Sequence, residues 1–396
     1  MQDRTEDIIP VDAAGTLAGL FQERVRRSPG RPAYRWFDKA EGVWREIDWQ
    51  DMGARVARWR AALAAEGLKP GERVAIQLRN GPDWICFDQA AQGLGLVLVP
   101  LYTEDRPDNV AYILDDAWCR LLLVQSGAHW RRLAEAVAEL DCLQRVLLLE
   151  GDDGADADPR LCDVEVWLQA ASAVPAPAPL PADPQALASI VYTSGTTGRP
   201  KGVMLSHHNM LSVAHAGLTM VDVYQEDLFL SFLPLSHTLE RTAGYYLPVM
   251  AGSCVAFARS IAQLADDLQT VRPTLLIAVP RIFERFQAGV SAQLGHATGA
   301  KAKIAEWARG VGTKVNALHN RGQEPSGLLA LQYKLAKKLV FDKVKDGLGL
   351  SEARIMIVSA APISPEILQY LASLDMSILE LYGQSEDCGP TTTNRP

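Results

Sequence analysis

Residues 187–202 combine an apolar strand with a run of glycines, hydroxyls and a lysine. The segment Leu187 to Tyr192 is mostly apolar and predicts a buried strand. It continues into a run of hydroxyl residues and glycines, Thr193, Ser194, Gly195, Thr196, Thr197 and Gly198. The segment ends with Lys201 and Gly202. Glycines bring backbone N–H groups close to a ligand, hydroxyls bind phosphate oxygens or Mg²⁺, and lysine adds positive charge. The pattern therefore predicts a loop that binds a polyphosphate.

This segment differs from the phosphate loop of the common nucleoside triphosphatases. That loop has the pattern Gly-x-x-x-x-Gly-Lys-Ser/Thr, whereas Lys201 follows Pro200 and precedes Gly202. A glycine pair on its own is usually a surface turn. A hydroxyl-rich run that ends in lysine directly after an apolar strand is much rarer, and we therefore favour phosphate binding.

A second group of polar residues follows an apolar strand, predicted over Ser377 to Leu381. The stretch is Glu380-Leu381-Tyr382-Gly383-Gln384-Ser385-Glu386-Asp387. It lies at the carboxyl end of that strand, where open α/β sheets bind ligands. An aromatic ring can stack on a base, and the hydroxyl and carboxylate three and four residues later can reach an α-phosphate and Mg²⁺. Tyr-Gly is also a common turn, so this stretch alone leaves both interpretations open.

Together the two stretches resemble the adenylate-forming (AMP-binding) superfamily of acyl-CoA synthetases, luciferases and peptide-synthetase adenylation domains. The first resembles its phosphate loop, and the second its Tyr-Gly-x-Thr/Ser-Glu motif at about the expected distance. The resemblance implies that Tyr382 stacks on adenine, Ser385 contacts the α-phosphate, and Glu386 binds Mg²⁺ with Thr193. The full set of ATP-binding residues implied in the two stretches is Thr193, Ser194, Gly195, Thr196, Thr197, Gly198, Lys201, Glu380, Leu381, Tyr382, Gly383, Gln384 and Ser385.

Three other stretches carry the same resemblance. In Leu233 to His237, a histidine occupies the superfamily position beside the carboxylate and the nascent adenylate, although a lone histidine is more often structural. The stretches 238–246 and 279–284 resemble the long-chain fatty acyl-CoA synthetase branch. Ser359-Ala360-Ala361 resembles the ATP-binding loop that packs along the adenosine, where many relatives carry glycines in place of the two alanines. The resemblance assigns catalytic roles to His237, Glu386 and Lys201.

Alternating predicted strands and helices position these residues. Such alternation indicates a parallel sheet with helices on its faces. The resemblance implies an α/β fold of two stacked mixed or parallel sheets flanked by helices, with room for a small β-subdomain. We expect residues 1–186 to form an N-terminal α/β subdomain that ends in an acidic, Ala/Pro-rich connector. Residues 187–396 would then form the ATP- and acyl-binding α/β subdomain.

Relatives in the superfamily continue beyond the second motif with a ribose-binding aspartate, a hinge and a small mobile C-terminal domain that carries a catalytic lysine. The sequence ends at Pro396, ten residues after Glu386. We therefore expect it to represent the large N-terminal part, with the C-terminal domain missing. Such a part would bind ATP weakly and adenylate slowly, because one charge and one wall of the site would be absent.

Composition excludes several classes of protein. A formal net charge of −8 argues against a nucleic-acid binder. The six cysteines form no Cys-x-x-Cys pair, as expected of reduced thiols in a cytoplasmic protein. Neither a signal peptide nor a run long enough to span a membrane is evident. The sequence does not decide whether the protein contacts a membrane peripherally or forms a homodimer.

Five lysines are concentrated in a short segment near the end of the chain, at Lys334, Lys337, Lys338, Lys343 and Lys345. A run of this kind usually forms a solvated face. The alternatives are an acidic membrane surface or the phosphates of CoA.

The function implied by the resemblance is ATP-dependent activation of a long-chain fatty acid. The acid would become an acyl-adenylate and then a CoA thioester, with Mg²⁺ accompanying ATP and the acyl tail beside the apolar residues that follow His237. An enzyme for a medium-chain or aromatic acid, adenylation without CoA transfer, and a non-catalytic nucleotide-binding fragment are the alternatives. A nucleoside triphosphatase would need a base or water-positioning residue, which the sequence does not reveal.

Overall fold

The structure is a computed structural model that describes residues 4–151, 158–180, 183–193 and 198–395. It is α/β, with two mixed, mainly parallel sheets flanked by helices, as predicted. The chain divides into two compact units. The first contains Met1–Glu226, Leu233–Phe257 and Gln384–Pro390, and the second contains Asp227–Phe232, Ala258–Gly383 and Thr391–Pro396. The division of the chain after residue 186 stays a prediction.

The α-helices are α1 Val11–Ala14, α2 Leu17–Arg27, α3 Trp49–Ala65, α4 Pro82–Gly93, α5 Pro107–Asp116, α6 Gly127–Leu133, α7 Val164–Ala170, α8 His207–Met220, α9 Leu247–Ala251, α10 Leu264–Val271, α11 Pro280–Gly295, α12 Ala300–His319, α13 Gly327–Ala336, α14 Asp342–Gly347 and α15 Pro365–Ala372. Two π-helical segments, Glu240–Tyr246 and Lys337–Phe341, run directly into α9 and α14, and Ser385–Asp387 forms a single 3₁₀ turn.

The strands are β1 Pro32–Asp38, β2 Val43–Asp48, β3 Arg73–Gln77, β4 Val97–Pro100, β5 Cys119–Val124, β6 Arg145–Leu148, β7 Leu161–Asp163, β8 Leu187–Thr193, β9 Lys201–Ser206, β10 Leu228–Ser231, β11 Cys254–Phe257, β12 Leu275–Ala278, β13 Ile355–Val358, β14 Leu379–Gln384 and β15 Gly389–Thr393.

The first unit contains a seven-stranded sheet in the order β7-β6-β5-β3-β4-β8-β9. Its neighbouring strands are parallel except for β8 and β9, which form an antiparallel hairpin. The central strands are apolar along their length because helices cover both faces of a parallel sheet, and Val74, Ala75 and Ile76 are fully buried. Three more strands of this unit follow the order β11-β1-β2, with β11 parallel and β2 antiparallel to β1.

The second unit contains five strands in the order β15-β14-β13-β12-β10. From β10 to β14 these strands are parallel. Helix α12 packs against α11, α13 and α15 within this unit. Helix α12 ends at His319, and α13 begins at Gly327.

Local capping sets the start of α3. The Asp48 carboxylate accepts a hydrogen bond from the backbone N–H of Asp51 at 2.8 Å, and α3 begins at the next residue, as the N-cap rule predicts. The predicted end of the last strand at Leu381 is wrong, because β14 continues to Gln384. This strand neighbours β15, and its Glu380 N–H donates to Oδ1 of Asn394 at 2.7 Å.

The six cysteines are free thiols, and all but Cys162 are buried. None of the helices in the described ranges combines the length and the apolar character that crossing a bilayer requires. The cytoplasmic location stays a prediction.

His207 makes the stability of the first unit depend on pH. Its Nδ1 accepts the backbone N–H of Leu17 at 3.3 Å, and burial lowers the pKa of His207 to about 4. The unfolded chain, with a histidine pKa of about 6.5, therefore binds this proton first as the pH falls. We expect the free energy of unfolding to fall by about 2 kcal/mol between pH 7 and pH 5 through this group.

Urea unfolding at both pH values measures this loss in the wild type and in His207→Asn, whose Oδ1 can accept the same N–H. The variant should lose about 2 kcal/mol less than the wild type over this range. The exposed His296, changed to Asn, serves as the control and should keep the wild-type dependence. An unchanged dependence in His207→Asn would contradict the assignment.

Candidate functional site

The predicted phosphate loop joins the two strands of the hairpin in the first unit. The register of β8 and β9 pairs Thr193 with Lys201, so these two residues face each other at the mouth of the loop. Lys201 is exposed, and Gly198 has a φ of +104°, a backbone conformation that favours glycine. The remaining predicted phosphate ligands, Ser194, Gly195, Thr196 and Thr197, lie outside the described residues.

Close packing fixes the ends of this loop. A Cβ atom at Gly202 would lie 2.7 Å from Cγ2 of Ile190 and 3.1 Å from Cζ of Tyr192. Non-bonded carbons normally stay about 3.5–4.0 Å apart, so a side chain here would push β9 away from β8. The Arg199 guanidinium lies 5.0 Å from the centre of the Tyr112 ring on α5. The hairpin therefore holds Lys201 beside Thr193.

The second motif contains a tight turn that is tied to the helical segment after His237. The Thr238 hydroxyl donates to Oγ of Ser385 at 3.5 Å, and the Thr242 hydroxyl donates to the backbone oxygen of Cys388 at 2.7 Å. A Cβ at Gly389 would lie 3.2 Å from backbone atoms of this helix, so the chain passes directly against it. Both threonines lie on one helical face because they are four residues apart.

This turn, Ser385–Asp387, lies beside strand β9 in the same unit. Lys201 is the first residue of β9, and the exposed Glu386 carboxylate is in the middle of the turn. The fold thus brings the polar ends of two motifs, about 190 residues apart in sequence, into one unit. A lysine and a carboxylate near a hydroxyl-rich loop can bind a phosphate group and the metal ion that accompanies it.

His237 ends a short turn that begins at Pro234. Its backbone N–H donates to the Pro234 oxygen at 2.9 Å, and its Nδ1 accepts the backbone N–H of Leu239 at 3.1 Å. Burial lowers the pKa of His237, which favours the neutral ring. Because Nδ1 accepts, the proton of the neutral ring is on Nε2, so this side of the ring can donate to a ligand.

Asn80 holds the segment before His237 in place. Its Nδ2 donates to the backbone oxygen of Leu233 at 2.7 Å, and its Oδ1 accepts the N–H of Leu235 at 3.0 Å. Asn80, Thr238 and Thr242 are not predicted from the sequence. Their roles depend on contacts between distant segments, and no local pattern indicates them.

A buried ion pair connects the helical segment after His237 to the strand before the phosphate loop. The side chains of Arg241 and Asp88 are both fully buried, with Nη2 and Oδ1 3.6 Å apart. Arg241 also donates to Ser189 Oγ on β8 at 2.7 Å and to the Tyr246 hydroxyl at 3.0 Å. Tyr245 and Tyr246 both donate to Asp88 Oδ2. The network therefore ties the strand before the phosphate loop to the π-helical segment after His237.

Arg241 remains charged inside this network. Burial by itself would lower its pKa, but Tyr246 and Asp88 together hold the pKa of Arg241 above its usual value. A buried guanidinium needs acceptors and a counter-charge: Ser189 and Tyr246 accept its two Nη groups, and Asp88 supplies the negative charge.

The other predicted ATP-binding residues lie in the second unit. Ser359, Ala360 and Ala361 follow β13, while Glu380, Leu381, Tyr382 and Gly383 belong to β14. Strands β13 and β14 are parallel and adjacent, so the residues at their carboxyl ends emerge at the same edge. Tyr382 is 65% exposed, which leaves its ring accessible to a base. Gln384, the last residue of β14, belongs to the first unit.

Ala360 occupies a backbone conformation that glycine would adopt more easily. Its φ is +72°, whereas Ala361 is not among the residues with positive φ. Both alanines are exposed. A glycine at 360 would therefore relieve strain at that position, and a glycine at 361 would not.

The available donors fit a magnesium ion that arrives with a nucleotide. In the part of the chain that the structure describes, no three His, Cys, Asp or Glu side chains cluster closely enough to hold a metal ion. Mg²⁺ commonly binds through one or two protein groups together with substrate phosphates and water. Thr193 and Glu386 supply one hydroxyl and one carboxylate, which suits this mode better than a resident metal.

Residues 21–396 match the protein family described as AMP-binding enzyme. Among curated relatives, the long-chain-fatty-acid–CoA ligase ACSBG2 of Gallus gallus is 29% identical over 398 residues, covering 97% of this chain and 51% of that protein. The peroxisomal long chain acyl-CoA synthetase 7 of Arabidopsis thaliana is 29% identical over 361 residues, covering 88% and 49%. The chain thus spans about half the length of the curated relatives it matches.

Solved structures share the fold at low sequence identity. The N-terminal domain of FACL13 from Mycobacterium tuberculosis superposes with a TM-score of 0.68 and 20% identity, covering 96% of this chain and 78% of that one. The anthranilate CoA ligase AuaEII in complex with anthranoyl-AMP gives a TM-score of 0.70 at 16% identity, covering 98% and 62%. At this identity the likeness concerns the fold alone.

The buried ion pair predicts a large loss of stability on truncation. Changing Arg241 to Met leaves Asp88 buried without its cation, so the free energy of unfolding should fall by about 3–5 kcal/mol. Urea denaturation measures the change. The control is Arg106→Met, because Arg106 is 72% exposed and its pair with Asp108 should contribute less than about 1 kcal/mol. Similar losses in the two variants would contradict the role of the network.

The strained loop predicts opposite effects at two neighbouring alanines. Ala360→Gly should raise the free energy of unfolding by about 0.5–1 kcal/mol, because relief of left-handed strain exceeds the entropy that glycine adds to the unfolded chain. Ala361→Gly, the matched control, should lower it by about the same amount. Thermal denaturation of both variants distinguishes the two positions, and destabilisation by Ala360→Gly would rule out the strain.

Proposed function

The chain belongs to the family of AMP-binding enzymes, and from that membership we propose that it serves the ATP-dependent activation of a long-chain fatty acid. In the proposed reaction the acid becomes an acyl-adenylate and then a CoA thioester. Curated relatives that match nearly the whole chain are named as ligases or synthetases of this type, which supports the choice of acid.

The observation that carries the proposal is the position of the Glu386 turn. It lies beside the strand that starts at Lys201, and Lys201 pairs with Thr193 across the hairpin. We assign Lys201 to the β- and γ-phosphates, where its charge would offset theirs. Thr193 and Glu386 would hold the Mg²⁺ that accompanies ATP, and this ion would neutralise phosphate charge.

The first step needs alignment and charge neutralisation more than covalent participation by the protein. A carboxylate oxygen of the acid attacks the α-phosphorus, a new P–O bond forms, and pyrophosphate leaves with the electrons of the broken bond. The residues assigned here would hold the phosphates in line for this displacement. Ser385 would contact the α-phosphate, and Tyr382 would stack on adenine.

We assign His237 to the acid and the forming adenylate. Its neutral ring presents Nε2–H because Nδ1 accepts the Leu239 N–H. The two hydrogen bonds of Asn80, to the backbone of Leu233 and Leu235, keep the preceding turn in position. The ring would therefore donate a hydrogen bond to an oxygen of the substrate without carrying a charge.

In the second step the CoA thiolate attacks the acyl carbon and expels AMP. The acyl tail would lie beside the apolar residues that follow His237. The acid itself is the least constrained part of the proposal, and a medium-chain or aromatic acid is the alternative. A homodimer, which the sequence leaves open, is not required by this reaction.

Nucleotide binding tests the assignment of the phosphate loop. Lys201→Met should weaken Mg·ATP binding about 10- to 100-fold, because a charged hydrogen bond to phosphate is lost. AMP binding should change little, since AMP lacks the phosphates that Lys201 would contact. Isothermal titration calorimetry on the purified chain measures both affinities. Lys69→Met, at an exposed turn, is the control. Equal losses for ATP and AMP would contradict the role of Lys201.

Pyrophosphate exchange with acids of different length tests the reaction. We expect slow exchange that depends on a long-chain acid and falls about 100-fold or more in Glu386→Gln. Exchange only with medium-chain or aromatic acids would replace the proposed substrate. ATP binding without exchange would favour a non-catalytic nucleotide-binding role, and acid-independent release of inorganic phosphate would indicate a nucleoside triphosphatase.

A further inference from the structure

The second unit exposes a row of leucines on one helical face. Leu328, Leu331, Leu335 and Leu339 are 71%, 65%, 50% and 38% exposed. Their spacing of three, four and four residues places them on the same side of the continuous helical stretch 327–347. At 1.5 Å per residue the row is about 16 Å long. Contiguous exposed apolar surface of this kind usually marks a binding site.

The other side of the same stretch is firmly packed. Ala336, Val340 and Phe341 are buried, and α13 packs against α12. The Tyr333 hydroxyl donates to Asp375, which also pairs with Lys345 at 2.7 Å. The leucines therefore lie on the exposed side of a helix whose other side packs within the second unit.

Positive charge is concentrated in the stretch of sequence that contains this row. Residues 300–345 contain eight lysines and two arginines against two glutamates and one aspartate, a formal charge of +7. The whole chain carries −8, so the remainder carries −15. Lys334 and Lys338 are exposed and lie along one flank of the leucine row. A basic segment on an otherwise acidic protein is suited to an anionic surface.

We propose that this leucine face, formed by Leu328, Leu331, Leu335, Leu339, Lys334 and Lys338, binds the surface of a membrane that contains anionic lipids. The leucines would enter the boundary between headgroups and acyl chains, and the lysines would contact the headgroups. Helices that lie in a membrane interface combine these two features.

The composition of the face favours lipid over a protein partner. Protein interfaces are enriched in tyrosine, tryptophan and arginine and depleted of lysine, and leucine is uncommon at their energetic centres. The leucine face has the reverse composition. Its recognition chemistry does not depend on the proposed reaction, so failure of either proposal leaves the other intact.

Sedimentation with vesicles tests the proposal. The purified chain should sediment with vesicles of phosphatidylcholine and phosphatidylglycerol, much less with phosphatidylcholine alone, and less as salt is raised. The double variant Leu331→Ser, Leu335→Ser should bind mixed vesicles at least about tenfold more weakly, because about half of the inserted apolar surface is removed. The double variant Lys334→Glu, Lys338→Glu should bind mixed vesicles about tenfold or more weakly than the wild type. This loss of affinity should appear only on the mixed vesicles.

Val166→Ser is the matched control, because Val166 is a 63% exposed apolar residue in the other unit. It should bind vesicles like the wild type. All variants replace exposed residues, and circular dichroism melts verify that they fold. Wild-type binding to neither vesicle, or unchanged binding by the leucine variant, would overturn the proposal. So would a concentration-dependent dimer that the leucine variant abolishes in the absence of vesicle binding, because the face would then be an interface between copies.

Discussion

Two threonine hydroxyls on one helical face hold the turn that carries Glu386. Thr238 and Thr242 contact Ser385 and the backbone of Cys388, and Gly389 allows the chain to pass directly against the helix. This contact sets where the second motif lies in the first unit, beside the strand that begins at Lys201. Without it, the turn that carries Glu386 would lose its hydrogen bonds to the helical segment after His237.

The helix that makes this contact is itself fixed by a buried charge. Arg241 lies between Thr238 and Thr242 in sequence and donates to Ser189, on the strand that leads into the phosphate loop. A buried guanidinium tolerates few positions, because displacement would break its hydrogen bonds to Ser189 and Tyr246 and its ion pair with Asp88. The π-helical geometry of residues 240–246 accompanies this arrangement, and such geometry is frequent at functional sites. Packing energy and site geometry thus depend on the same side chains.

Sequence alone predicts the parts of this arrangement that local chemistry specifies. The apolar run from Leu187 and the following glycines indicate a strand and a loop, and Asp48 marks the start of α3. The strand β9 was not predicted, because it exists only through pairing with β8. Asn80 and the two threonines were missed for the same reason, since their partners are distant in sequence. The extension of β14 to Gln384 accompanies its pairing with β15, which no local pattern reveals.

Hydrogen–deuterium exchange with and without Mg·ATP tests most directly whether one nucleotide engages both motifs. Peptides covering residues 198–206 and 384–390 should both become protected, and their protection should saturate at the same ATP concentration. Protection of only one segment, or of the two at clearly different concentrations, would contradict a shared site. AMP should protect the first segment less than ATP does, because it lacks the phosphates assigned to Lys201.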